Sequence, residues 1–198
     1  MAKNNTADVS NVKGVLGGYG FSAPIDTELD LSTDPYADLS GAFENMGFIS
    51  EDGIEEEVDA DTKEIVDMNG DVIFVAKSSE KETLTLTLVS ITDASLREWH
   101  GHSNVDATAE GYIEVKHSNV LHDQRKYIFE LLLKDGRKWR KYVPNGQVTE
   151  VGSIVHGAAD IAGREITISC MPDEDGIRVY DFIEKAESGE TGSTTAGA

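Results

Sequence analysis

Cysteine is almost absent. A single Cys170 excludes an internal disulfide, so the fold has to hold without an oxidising compartment. Positive charge is scarce as well: 17 Lys plus Arg stand against 37 Asp plus Glu, a net charge of −20. A chain this acidic repels nucleic acid and anionic membranes in bulk and stays in solution. No window approaches the roughly 18 consecutive apolar residues of a membrane span. The opening Met1-Ala-Lys-Asn-Asn-Thr-Ala-Asp8 lacks the apolar core of a signal peptide. The chain therefore reads as a soluble protein made in a cytosol, with no membrane partner. Its hydrophobic fraction of 39% is somewhat low for 198 residues, which places part of the length outside any core.

Catalytic signatures are missing too. There is no Gly-x-Ser-x-Gly, no phosphate loop and no Gly-x-Gly-x-x-Gly. Asp59-Ala-Asp61-Thr-Lys63-Glu64 begins like a calcium loop, but Lys63 and Glu64 stand where an oxygen ligand and a glycine are needed. Asp173-Glu-Asp175-Gly176 reads as a solvated turn, with a loose Ca²⁺ site as the sharper alternative. His100-Gly-His102 supplies two imidazoles without further ligands at a recognised spacing. Cys170, between Ser169 and Met171 on an expected strand, reads as a buried thiol. The expectation is no enzyme, no metal and no cofactor.

What is present is β-structure. Thr83 to Leu88 alternates Thr and Leu without a break, placing Leu84, Leu86 and Leu88 on one face and Thr83, Thr85 and Thr87 on the other. Thr92 or Asp93 can then cap a short helix over 94–99 that carries Trp99, with Gly101 as its terminator. Asn69-Gly70 and Asp135-Gly136 are hairpin-turn pairs. Glu51-Asp-Gly53 reads as a turn after a short 46–50 strand, and Pro144-Asn-Gly146 as the end of the second hairpin. Further strands are expected over 111–116, 126–133, 137–143, 148–154, 164–171 and 177–183. On 164–169 the same alternation turns Ile166 and Ile168 inward and leaves Glu165, Thr167 and Ser169 outward. The pattern predicts a mainly β subunit, a β-sandwich or part-barrel, with one short α-helix.

Three divisions follow from composition. Residues 1–45 are broken by Gly14, Gly17, Gly18, Gly20, Pro24 and Pro35 yet dotted with Tyr19, Phe21, Tyr36 and other apolar residues. They read as an extended N-terminal arm, lying on its own body or on a neighbouring copy. Residues 46–187 form the β-domain, and 188–198 a flexible polar tail. Between Lys13 and Lys77 the only basic residue is Lys63, whereas Arg125, Lys126, Lys134, Arg137, Lys138, Arg140 and Lys141 crowd together. An acidic half and a basic hairpin can attract each other between copies. Tyr19, Phe21, Tyr36, Trp99, Arg137, Lys138 and Arg140 are accordingly candidates for inter-subunit contact.

The layout resembles the major tail protein, or tail tube protein, of long-tailed non-contractile phages. The resemblance covers residues 15–183 and is carried by Met46-Gly-Phe-Ile-Ser-Glu-Asp-Gly53, the alternating 83–88 strand, Leu96-Arg-Glu-Trp-His-Gly101 and the paired C-terminal strands. It implies subunits closing into hexameric rings, stacked into a tube that passes double-stranded DNA without sequence-specific binding. It also implies an arm or loop that contacts the next ring, and a lumen lined by acidic and small polar groups. Thr83, Thr85, Thr87, Glu165, Thr167 and Ser169 are the candidates for that lining. Implied partners are the chain itself, a tape-measure protein and a tail-terminator protein, in a virion tail assembled in the host cytoplasm. A type VI secretion-like tube subunit and a non-catalytic adhesion or carbohydrate-binding module are the alternative readings.

Overall fold

The computed structural model describes residues 9–186; the 188–198 tail lies outside them. As the alternation predicts, the chain is mainly β. Its strands are β1 (Val12–Gly14), β2 (Gly20–Pro24), β3 (Glu44–Asn45), β4 (Ile49–Val66), β5 (Val72–Leu88), β6 (Val105–Asp106), β7 (Glu114–Val115), β8 (Gln124–Leu133), β9 (Lys138–Val151), β10 (Arg164–Cys170) and β11 (Tyr180–Ile183). Among the described residues one α-helix, α1 (Asp93–His100), follows β5, with a 3-10 turn at His102–Asn104 after it. Nine strands make one open antiparallel sheet in the order β3-β2-β8-β9-β10-β5-β4, with β1 beside β8 and β11 beside β9. β6 and β7 form a small separate pair.

The Leu face of β5 is the centre of the core. Leu84, Leu86 and Leu88 lie with Ile166, Ile168, Val143, Val148, Tyr127, Phe129, Met46 and Trp99 in one buried cluster. Cys170 belongs to it as well, and burial pushes its thiol up to about 12. α1 starts where expected. Thr92 Oγ1 accepts from the Ser95 amide while Ser95 Oγ accepts from the Thr92 amide, a reciprocal cap at the first turn. The helix then lays Trp99 onto the sheet.

A second, smaller cluster lies on the opposite face at the other end of the sheet. Ala23, Phe43 and Ile128 pack there with Phe21, Leu29, Leu39 and Tyr142. The stretch expected to be an arm is thus laid on the chain's own body. β2 is hydrogen bonded between β3 and β8, and residues 25–43 cross the back of β2, β8 and β9. Intrachain strand pairing satisfies backbone groups that a free arm would leave to water.

Three local expectations change. Glu51-Asp-Gly53 is no chain reversal: Ile49 pairs with Leu88 and Ile54 with Leu86, so residues 50–53 bulge within β4, and Gly53 takes φ +78° there. Pro144-Asn-Gly146 does not end a strand either; β9 runs through it with a register shift against β8 between Arg125 and Tyr127. A proline fits a sheet interior at such an irregularity. A Cβ on Gly146 would lie 2.7 Å from the Tyr127 ring and 2.9 Å from Ile168 Cγ2, so glycine is needed for close packing. The 111–116 strand shrinks to β7, and 177–183 to β11.

The Asn69-Gly70 turn joins the longest elements of the fold. β4 and β5 pair from Glu55–Thr85 out to Val66–Val72, and past Asp59 and Lys81 they run as a two-stranded ribbon. Ile65, Val66, Met68, Val72, Ile73, Phe74 and Val75 are all exposed on it. An isolated two-stranded ribbon is marginal in water. Its apolar surface is more than solvation of the monomer calls for.

Candidate functional site: a polar sheet face and the network behind it

The six residues expected to face outward on β5 and β10 stand opposite one another in pairs. Thr83 meets Ser169, Thr85 meets Thr167, and Thr87 meets Glu165. Directly paired residues share a face, so these six form one patch. Flanking strands extend it: Glu57 and Glu55 of β4 stand beside Thr83 and Thr85, and Gln147 and Glu150 of β9 beside Ser169 and Thr167. The rows Glu57–Thr83–Ser169–Gln147, Glu55–Thr85–Thr167–Glu150 and Thr87–Glu165 hold hydroxyls, an amide and carboxylates, with no Lys or Arg. The Oγ1 atoms of Thr85 and Thr167 are 3.2 Å apart. Thr83 is buried at 7% exposure, Thr85, Thr87, Thr167 and Ser169 are half-buried, and Glu165 is open. Such a wall is hydrophilic and anionic and offers no cation to hold a phosphate.

Behind the sheet, α1 is held by a buried carboxylate. Glu98, 1% exposed, accepts from Ser22 Oγ at 2.7 Å and from Tyr127 OH at 3.0 Å. His102 Nε2 lies 3.4 Å and Arg125 Nε 3.7 Å from its Oε1. Glu44 continues the chain of charges, 2.8 Å from Arg97 and 3.7 Å from Arg125. Burial alone would push the Glu98 carboxyl up; the His102 and Ser22 hydrogen bonds and the Arg125 charge outweigh it and hold the group below its ordinary value. The same burial and the Glu98 charge push the Tyr127 phenol far up. Sequence reasoning missed this network. Its one available signal is that Glu98 falls on the same helical side as Ala94 and Ser95, the side turned to the sheet.

The candidate inter-subunit residues do not gather on one surface. Trp99 is in the core. Tyr19 OH accepts from the Ile49 amide at 2.8 Å, and Phe21 packs in the smaller cluster. Tyr36 donates to Phe182 O at 3.0 Å, with Lys138 Nζ 5.7 Å above its ring. Arg137 bonds Asp135 at 2.6 Å. Arg140, 4% exposed, bonds Glu130 and donates to the carbonyls of Pro35 and Ala37. Lys141 sits 2.6 Å from Glu56 and 2.9 Å from Asp181. The basic hairpin is thus largely matched inside its own chain, with Arg140 anchoring the 25–43 crossing. Asp173 is also occupied: it accepts from the amides of Asp175 and Ile177 and from Tyr180 OH, which caps a turn.

A sealed Leu face, a hydrophilic patch on the opposite face, a strand edge at β4 and a projecting ribbon thus characterise this mainly β chain. Sequence comparison gives the family. The chain belongs to the phage tail tube protein family, whose profile it matches over residues 1–194. No curated protein sequence matches it. Among solved structures, the fold is similar to a chain of the anti-feeding prophage cap, a tube-terminating cap. There the TM-score is 0.45 and the identity 17%, with 90% of this chain and 98% of that one covered. It is also similar to a chain of the sheath–tube complex of the extracellular contractile injection system PVC in its extended state. Here the TM-score is 0.45 and the identity 15%, with 86% and 92% covered. A chain from the tail of an empty GTA particle aligns at TM-score 0.36 and 11% identity over 75% and 92%.

Proposed function

We propose that this tail tube protein closes into rings of six, and that the rings stack into a channel delivering double-stranded DNA to the host. The observation that carries the reading is the three-row patch on β4, β5, β10 and β9. Facing a lumen, its carboxylates and hydroxyls would repel or merely wet the DNA backbone, and without cationic anchors the duplex would slide. The free edge of β4 is the natural place for a second copy to add its own strand, since pairing removes an exposed edge. The β4–β5 ribbon, apolar at its end, reaches to the next ring, and burial there would use the surface left open in the monomer. Tape-measure and terminator proteins would occupy the lumen and the last ring.

Negative-stain microscopy of purified protein tests this directly. Tubes or six-fold rings are expected from the full chain. A variant with residues 60–78 replaced by a short Gly/Ser turn should keep its far-ultraviolet spectrum and give at most single rings. Featureless particles from the full chain at high concentration would overturn the assembly reading.

A further inference from the structure

Apart from the sheet face, one cleft has an unusual chemistry for so acidic a chain. It occupies about 390 Å³ between the end of α1, the 117–122 segment and the start of β10. His100, His117, His122 and Arg164 line it, together with Trp99 and Asn119, and no Asp or Glu does. The imidazoles of His100 and His117 are edge to face, their centroids 4.6 Å apart. Arg164 donates from Nε to Gly152 O at 2.9 Å, which aims Nη1 to within 3.4 Å of His100 Nε2. Trp99, whose buried indole N–H has no hydrogen-bond partner among the described residues, borders the same cleft. Four groups that carry or can carry positive charge thus line one cleft.

We infer that this cleft is an oxyanion site, taking a group of carboxylate or phosphate size against Arg164 and the His100–His117 pair. An anion there would favour the protonated form of the imidazoles that face it. Burial, then Arg164, His117 and His122, hold the His100 imidazole below its ordinary value. His122 is also lowered by burial, with Glu98 and Asp123 pulling the other way and His102 adding to the decrease. Glu98 is already engaged by Ser22, Tyr127 and His102, and no carboxylate lines the cleft. Two sources offer the same chemistry: free inorganic phosphate, or a carboxylate presented by a second copy of this chain. Since the protonated imidazoles are the binding form, occupancy rises as pH falls through their titration range.

The test is a histidine titration by NMR at constant ionic strength, with and without inorganic phosphate. Exposed His156 serves as the reference on the same molecule. With phosphate, the His100 midpoint should rise by about one unit, the His156 reference should not follow it, and Arg164→Gln should abolish the rise. If another copy supplies the anion, the same rise appears without phosphate as protein concentration increases, and Arg164→Gln removes that as well. Midpoints independent of both phosphate and protein concentration would overturn the site. So would a shift shared equally by His156 or retained in Arg164→Gln.

Discussion

Thr85 and Thr167 face each other across β5 and β10 with their hydroxyl oxygens 3.2 Å apart, at the middle of a patch that lacks any cation. Adding one there alters the charge of the face without touching the core. Thr85→Lys and Glu165→Lys should each fold and assemble as the parent does, because these side chains stand on the open side of the sheet. Phage carrying either should eject DNA more slowly, each lysine adding a phosphate contact that salt weakens. Ejection at the parental rate would remove this patch from the channel.

Across the sheet, Leu86 is 2% exposed among Ile166, Leu84 and Leu88. Leu86→Ala leaves a cavity and should destabilise the subunit by about 2–5 kcal/mol. Thr87→Ala, one residue along and on the other face, should change stability by no more than about 0.5 kcal/mol. Urea unfolding of the two variants checks the assignment of faces; comparable losses would contradict it.

Arg140 separates two roles within the basic hairpin. Reversing charge at Arg137 and Lys138 places carboxylates at the surface and should leave the fold intact. Arg140→Glu instead opposes Glu130 in a buried site and strands the carbonyls of Pro35 and Ala37. Breaking a buried pair in this way costs about 3–5 kcal/mol. The thermal midpoint of the Arg137/Lys138 double reversal should match the parent, with a large drop once Arg140 is included. Equal midpoints would mean that Arg140 does not anchor the 25–43 crossing.

Acid should loosen α1. The Glu98 carboxyl is depressed in the folded chain relative to its ordinary 4.5. Its contribution is therefore fully present above that value and is lost as pH falls through the folded value. Between pH 7 and 5 that contribution stays constant, so no change in the thermal midpoint should come from this group. Below 4.5 it should fall, and the fall should be shallower in Glu98→Gln, which has no carboxyl to protonate. The parent and Glu98→Gln falling with the same slope would exclude Glu98 as the source.

Local features were legible in the sequence because they depend on neighbouring residues. The Leu/Thr alternation, the Thr92 cap and the Asn69-Gly70 and Asp135-Gly136 turns all appear in place. Partner choice was not legible. Nothing near Thr85 announces that Thr167, 82 residues away, will stand beside it. Phe21 looks like a stray aromatic until β8 brings Ile128 opposite it. Pro144 and Glu51–Gly53 carry turn chemistry, yet both are absorbed as irregularities within long strands, because pairing with β8 and β5 on either side outweighs the local preference. Glu98 reads as a surface acid by type; only the packed helix shows its four partners.

The order of strands in the sheet has a consequence during synthesis. β4 and β5 are adjacent in sequence and can pair as soon as both leave the ribosome, but the second neighbour of β5 is β10, translated some 80 residues later. Pairings this distant form slowly, and their absence leaves sheet edges open. For that interval the nascent chain carries a long ribbon with an apolar end and no body to shield its flank. Ribbons on adjacent ribosomes of one messenger would be close enough to zip together. The acids along β4, from Glu55 to Glu64, and Asp67 and Asp71 at the turn, then act as gatekeepers that keep unfinished chains apart.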